Sequence, residues 1–225
     1  VVKDSPGFFT TRVIGQTITQ GQMMLAEGVN PALIENAAAF NGSPMGPLET
    51  LDNISIETAY HAMKQAQADA LARGEEPETG PQAEVIRIMF EDIGRKGQNQ
   101  GGGFYDYDDN GKKIATWPGL KDVFAKNGYT DIPYEDIRDR LLFPQVLEAV
   151  RIMEEGVLTS VGDGNIGSIM GIGFPPHTGG VYQCVNAYGV QAFVDRSHEL
   201  EFAYGEVFKP PQLLLDMAAK GSTFA

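Results

Sequence analysis

Arg12-Val13-Ile14 and Glu27-Gly28-Val29 return 128 residues later, without a gap, as Arg140-Leu141-Leu142 and Glu155-Gly156-Val157. A three-residue insertion then moves the offset to 131, where Gly42-Ser43-Pro44 meets Gly173-Phe174-Pro175 and Gly74-Glu75 meets Gly205-Glu206. With one residue removed, Pro81-Gln82 meets Pro211-Gln212, and Gly103-Phe104 has a weaker counterpart in Thr223-Phe224. Self-similarity in constant order is the mark of one structural unit used twice. The expectation is two related helical units of roughly 100 residues packed as a pseudo-twofold pair. They would occupy residues 1–107 and 134–225, with a connector at 108–133.

The periodicity inside each copy is helical. From Phe8 to Gly28, Phe9, Val13, Ile14, Ile18, Met24 and Leu25 recur near every 3.6 residues, which predicts one long helix. Asn30 before Pro31 reads as an N-cap followed by proline at the first helical position, opening a short helix to Phe40. Gly42-Ser43-Pro44-Met45-Gly46-Pro47 breaks the chain, and Ser55 with Thr58 can cap a helix running to about Arg73. Residues 74–80 read as a loop, Pro81 starts a helix to Ile93, and Tyr134 to Val157 is again long and amphipathic. Between Gly101 and Thr116, Phe104-Tyr105-Asp106-Tyr107 and Lys112-Lys113-Ile114-Ala115 flank Asn110-Gly111, a hairpin signal in which both turn residues favour positive φ. The fold class is therefore all-α, two tandem related helical domains with a small β-hairpin in the connector.

Composition limits the functions. Among 225 residues, 30 Asp and Glu against 17 Lys and Arg give a net charge of −13. Such a surface repels phosphate backbones and anionic lipid, so neither nucleic acid nor a membrane is expected as a partner. No stretch approaches the roughly 20 apolar residues of a membrane span. A single cysteine, Cys184, and three histidines offer no zinc ligand set, so no metal is expected. A reducing, cytoplasmic location is the corresponding expectation. The opening Val1-Val2-Lys3-Asp4 carries no initiator Met and no signal-peptide features, and reads as the start of an excised piece.

Two motifs imitate known sites. Gly162-Asp163-Gly164-Asn165-Ile166-Gly167 matches the G-x-G-x-x-G pattern of dinucleotide-binding turns, but a long helix precedes it instead of a strand. It reads as a flexible connection between helices. Asp106, Asp108, Asn110 and Gly111 imitate the first half of an EF-hand loop, yet position twelve falls on Trp117 where a bidentate carboxylate is required. His61 and His198 sit in predicted helices, His177 in a Gly/Pro-rich break, and no Ser or Cys has a nucleophile-elbow context.

Three motifs in order carry a resemblance. They are Ser5-Pro6-Gly7-Phe8-Phe9-Thr10-Thr11-Arg12, then Gly42-Ser43-Pro44-Met45-Gly46-Pro47-Leu48-Glu49 with Leu51-Asp52, then Gly102-Gly103-Phe104-Tyr105-Asp106-Tyr107. The chain resembles the C-terminal region of 3-hydroxyacyl-CoA dehydrogenases. More closely, it is similar to the doubled helical region of multifunctional fatty-acid oxidation enzymes, in which an enoyl-CoA hydratase and a Rossmann domain come first. The second copy, with Gly171-Ile172-Gly173-Phe174-Pro175-Pro176, fits that duplicated module.

The resemblance implies an oxidoreductase of β-oxidation that converts (S)-3-hydroxyacyl-CoA to 3-ketoacyl-CoA by hydride transfer to NAD. It places the NAD site and the catalytic His-Glu pair on the Rossmann domain, so the 225-residue piece is expected to be inactive alone. The helical region would supply a wall of the acyl cleft, with Phe8, Pro44, Met45 and Pro47 bordering the substrate, and the surface of a homo-oligomer. Thr11 stands where the family has an Asn that assists the catalytic His and the substrate oxygen, which makes Thr11 the candidate catalytic residue. Asn99 stands where the family's loop brings a Lys to the cofactor, and Lys96 is near enough in sequence to substitute. The alternative is a non-catalytic helical scaffold that holds a thiolase partner in an oxidation complex.

Overall fold

A computed structural model describes every residue of the chain except Val1, Asp4, Pro6 and Glu78. Val1 and Asp4 of the opening, Pro6 of the first motif, and Glu78 of the expected loop lie outside the described residues. The fold is all-α with one small hairpin. In order come α1 (Thr10–Ala26), α2 (Pro31–Asn41), α3 (Pro47–Ile54), α4 (Ile56–Ala72) and α5 (Pro81–Arg87), the last followed by a wide π turn at Ile88–Asp92. The antiparallel strands β1 (Tyr105–Tyr107) and β2 (Lys113–Thr116) and the short α6 (Gly119–Phe124) follow. Then come α7 (Tyr134–Glu154), α8 (Val161–Ile172), α9 (Val181–Tyr188), α10 (Val190–Tyr204) and α11 (Gln212–Lys220).

Helix boundaries follow local chemistry. Asn30 Oδ1 accepts the N–H of Ala32 at the start of α2, and Ser55 Oγ accepts that of Thr58 at the start of α4. The matched breaks of the two copies use the same backbone device. Gly28 and Gly156 both end a helix at positive φ, and Val29 and Val157 then donate to Met24 and Ile152 carbonyls. Ser55 at φ 85 and Gly189 at φ 94 both join two helices through one residue, and Ser55 Oγ also donates to the Lys96 carbonyl.

Two expectations are corrected. Gly162–Gly167 is not a connection but lies within α8, capped by Ser160 Oγ on the Asp163 N–H. Gly164 is required there because a Cβ would collide with the ring of Tyr182. The hairpin forms, but its loop runs from Asp108 to Lys112, and of Asn110 and Gly111 only Gly111 has positive φ. The Asp108 carboxylate takes the N–H groups of Asn110 and Lys112, which fixes the turn without a left-handed Asn110.

The chain divides into two compact units, one of Val1–Thr17, Ala38–Pro44 and Tyr134–Ala225, the other of Ile18–Ala37 and Met45–Pro133. This division does not follow the repeat boundaries: residues 108–133 group with most of the first copy, and the start of α1 groups with the second. The reason is visible within the first of these units. Phe9 and Val13 are buried in one core with Phe143, Val146, Val150, Phe174, Tyr182, Phe193 and Phe208. Arg12 pairs with Glu148 at 2.6 Å and, through both terminal nitrogens, with Glu155 at 2.5 and 2.9 Å. The second unit buries Met24, Leu25, Ile34, Leu48, Leu51, Ile56, Met89 and Phe104.

Candidate functional site

The residues singled out from sequence do not fall in one compact unit. Phe8, Thr11 and Pro44 belong to the first, Met45, Pro47 and Asn99 to the second. Phe8 is half exposed and held at φ 49, an uncommon left-handed conformation for a bulky side chain. Thr11 is exposed in the first turn of α1, and its hydroxyl has no hydrogen-bond partner among the described residues. Among the described residues, the local backbone bond that a helix-start Thr often makes is not formed. Pro44 is exposed and lies where a Cβ on Gly173 would meet its ring at 2.7 Å.

In the second unit, Met45 is 42% exposed and Pro47 is buried, its ring filling the space beside Gly21. Pro47 thus fixes the start of α3 and offers no surface of its own. Asn99 is exposed in a single 3-10 turn, Gln98–Gln100. Lys96 is engaged elsewhere: its Nζ pairs with Glu57 at 2.9 Å and lies 5.3 Å from the Phe90 ring centre.

A carboxyl cluster that the sequence reading missed joins α2, α3 and β1. Asp52 is 1% exposed; its Oδ1 accepts the N–H of Phe104 at 2.8 Å, and its Oδ2 accepts the N–H of Tyr105 at 2.9 Å and the hydroxyl of Tyr107 at 3.0 Å. Glu35 accepts the Leu48 N–H at 2.8 Å and the Tyr105 hydroxyl at 2.8 Å. Burial pushes Glu35 up to about 7 and Asp52 up to about 6, against the hydrogen bonds that hold both down. Perturbed carboxyls invite a catalytic reading. The second copy argues for a structural one. There Asn165 Oδ1 accepts the N–H of Tyr182 at 2.9 Å, as Glu35 does for Leu48, and Asn186 Oδ1 accepts that of Phe224 at 3.0 Å, as Asp52 does for Phe104. A neutral amide does the same work, so the cluster is a clamp that seats the hairpin.

The clamp has a pH signature. A carboxyl raised in the folded state holds its proton more tightly there than in the unfolded chain. The stabilisation is complete below the ordinary carboxylate pKa and is lost as pH rises through the folded value. The urea midpoint of the chain should therefore fall between pH 4.5 and about 7, the ordinary and raised values for Glu35. Glu35→Gln should flatten most of that fall, whereas a wild-type midpoint that rises across this window would contradict the assignment.

The remaining imitation sites are occupied by structure. Asp106 pairs with Arg95 at 2.6 Å, and the Asp108 carboxylate is taken up by the turn. No His, Cys, Asp and Glu group among the described residues is arranged to hold a metal. The glycines of Gly162–Gly167 are wound into α8, with Gly164 against Tyr182, so the loop of free backbone N–H groups that cradles a pyrophosphate is not formed. Gly162–Gly167 therefore does not fit the pyrophosphate of a dinucleotide such as NAD. Among the described residues, no helix is long and apolar enough to cross a membrane.

The comparisons with known proteins agree with the opening motif, the break and the hairpin. Residues 7–107 match the 3-hydroxyacyl-CoA dehydrogenase C-terminal domain. Two solved structures share the fold over nearly the whole chain. The 3-hydroxybutyryl-CoA dehydrogenase of Escherichia coli K12 substr. MG1655 matches 97% of it at 20% identity and a TM-score of 0.71. The dehydrogenase part of multifunctional enzyme 1 from C. elegans matches 95% at 22% identity and a TM-score of 0.67. The chain spans 61% and 48% of those two chains. The family match ends at 107, but the fold match extends over the second copy.

Proposed function

We propose that this chain is the helical region of an NAD-dependent (S)-3-hydroxyacyl-CoA dehydrogenase of fatty-acid β-oxidation, of the multifunctional kind, organised as units 1–107 and 134–225 around a connector. The observation that carries the reading is the family match over residues 7–107, which contains the second and third motifs whole and the first from Gly7 onward. In this reading the hydroxyl of Thr11 donates to the substrate oxygen or orients the catalytic base, for which it is exposed. Phe8, Pro44 and Met45 present apolar surface to the acyl group, and Pro47 holds that break in place. Asn99 offers an uncharged contact to the cofactor, whose binding is the task of residues outside these 225. The reading is of a cytoplasmic homo-oligomer acting on acyl-CoA; a −13 chain is itself a poor partner for CoA phosphates, so the basic groups that hold them are expected outside these 225 residues.

The 225-residue chain is expected to leave NADH fluorescence unchanged on titration. Saturable NADH binding would sink the division of labour proposed here. The scaffold reading, with a thiolase held by the helical surface, is separated by a Thr11→Ala variant of the enzyme that carries this region: it requires unchanged kinetics.

A further inference from the structure

The two copies treat one packing position in opposite ways. In the second, α7 and α10 contribute Leu147, Val150, Phe193 and Leu200 to a continuous core, each at most 1% exposed. Setting Ser55 on Gly189, the single residue that opens α4 and α10 respectively, puts α4 134 residues before α10; with α1 128 before α7, the corresponding positions are Thr19, Gln22, Ala59 and Ala66, and Ala70 stands for Tyr204. Met63 for Ser197 is the one exchange in the other sense. As a result α4 buries only Ile56 and Ala70, where α10 buries five residues. The space that large side chains fill in the second copy is open in the first. It forms a cavity of about 410 Å³ between α1, α4 and α5, whose walls include Thr19, Gln22, Met63, Ala66, Ala70 and Ile86.

Gln22 makes this more than a packing defect. It is 3% exposed, yet its buried Nε2 has no hydrogen-bond partner among the described residues. Buried polar atoms are nearly always paired, and a Val at this position, as in the second copy, would remove the unmet donor. The charged residues at the wall are Arg73, paired to Glu75 at 2.8 Å, and Glu76, whose carboxylate disfavours an anionic occupant. The unmet group is thus a neutral donor, which calls for a neutral acceptor oxygen. Met63, Ala66, Ala70, Ala83 and Ile86 make the apolar part of the wall, beside the polar Gln67 and Gln82, and the volume falls in the range of small-molecule sites. Met63 is unbranched and adapts to an occupant.

We propose that this cavity binds an aliphatic chain bearing a carbonyl oxygen, with the Gln22 amide donating to that oxygen. The inference stands on the packing of one compact unit and does not rest on the dehydrogenase reading. Its test needs neither NADH nor turnover. Calorimetric titration of the 225-residue chain with octanoyl-N-acetylcysteamine, a neutral acyl thioester, should show saturable one-to-one binding. Gln22→Leu should weaken it about three- to tenfold, the worth of one neutral hydrogen bond. Ala66→Leu with Ala70→Tyr, which writes the second copy's residues into the cavity, should weaken it more than tenfold. Amide NMR shifts in the wild type should move at Thr19, Gln22 and Ala66, a readout that needs no variant to fold. No saturable binding, shifts confined to other elements, or full binding by the filled variant would overturn the site. Octanoate binding more tightly than the thioester would overturn the carbonyl assignment.

Discussion

Asp52→Ala should lower the stability of the chain by about 3–5 kcal/mol, seen as a drop of roughly 10 °C in the thermal midpoint by circular dichroism. The substitution strands two buried backbone donors, those of Phe104 and Tyr105, and removes the acceptor of the Tyr107 hydroxyl. Each stranded donor costs about 1–3 kcal/mol, since water cannot replace the lost partner in the folded state. Asp52→Asn should cost much less, because Asn186 already holds the Phe224 backbone in the second copy, accepting its N–H and donating to its carbonyl at 2.8 Å. Equal losses for the two variants would mean that charge, and not the acceptor geometry, holds the hairpin.

Gly180→Ala should destabilise by about 3 kcal/mol or more. Gly180 sits at φ 108 and ψ 174, a region essentially restricted to glycine and worth about 1–3 kcal/mol of strain for any other residue. A Cβ there would also meet the backbone Cα of Asn165 at 2.5 Å, and backbone cannot step aside. Gly221→Ala is the control. It is left-handed at φ 61 with nothing within 4 Å of the added carbon, so it carries strain alone, about 1–2 kcal/mol. Chemical denaturation of both variants separates the contributions, and equal losses would show that the collision is relieved by movement of α8.

What the sequence made legible was local or repeated. The caps at Asn30 and Ser55 act within three residues, and the helix-ending glycines recur at matched places in both copies. The Gly162–Gly167 stretch misled because glycine is a poor helix former in isolation. Its helix is held from outside by close contact with Tyr182, whose own hydroxyl is fixed on the Ala149 carbonyl at 2.8 Å. The Glu35 and Asp52 clamp was hidden for a related reason, since its partners lie up to 70 residues away along the chain. One signal could have found it. Asp52 interrupts the apolar run of Leu48 and Leu51, and with Ser55 set on Gly189 a polar Asn186 stands at the corresponding place in the second copy. The placement of Thr11 on the first turn of α1 was readable from periodicity, but the exposure of its side chain was not, because that depends on what the fold leaves beside it.

The most direct measurement is the reduction of acetoacetyl-CoA by NADH in the enzyme that carries this helical region, compared between Thr11 and Thr11→Ala. Loss of one neutral hydrogen bond to the reacting oxygen or its base should lower kcat about three- to tenfold, with the oligomer and any bound partner unchanged. Unchanged kcat together with loss of a co-purifying partner would contradict a catalytic wall and leave the helices as a scaffold.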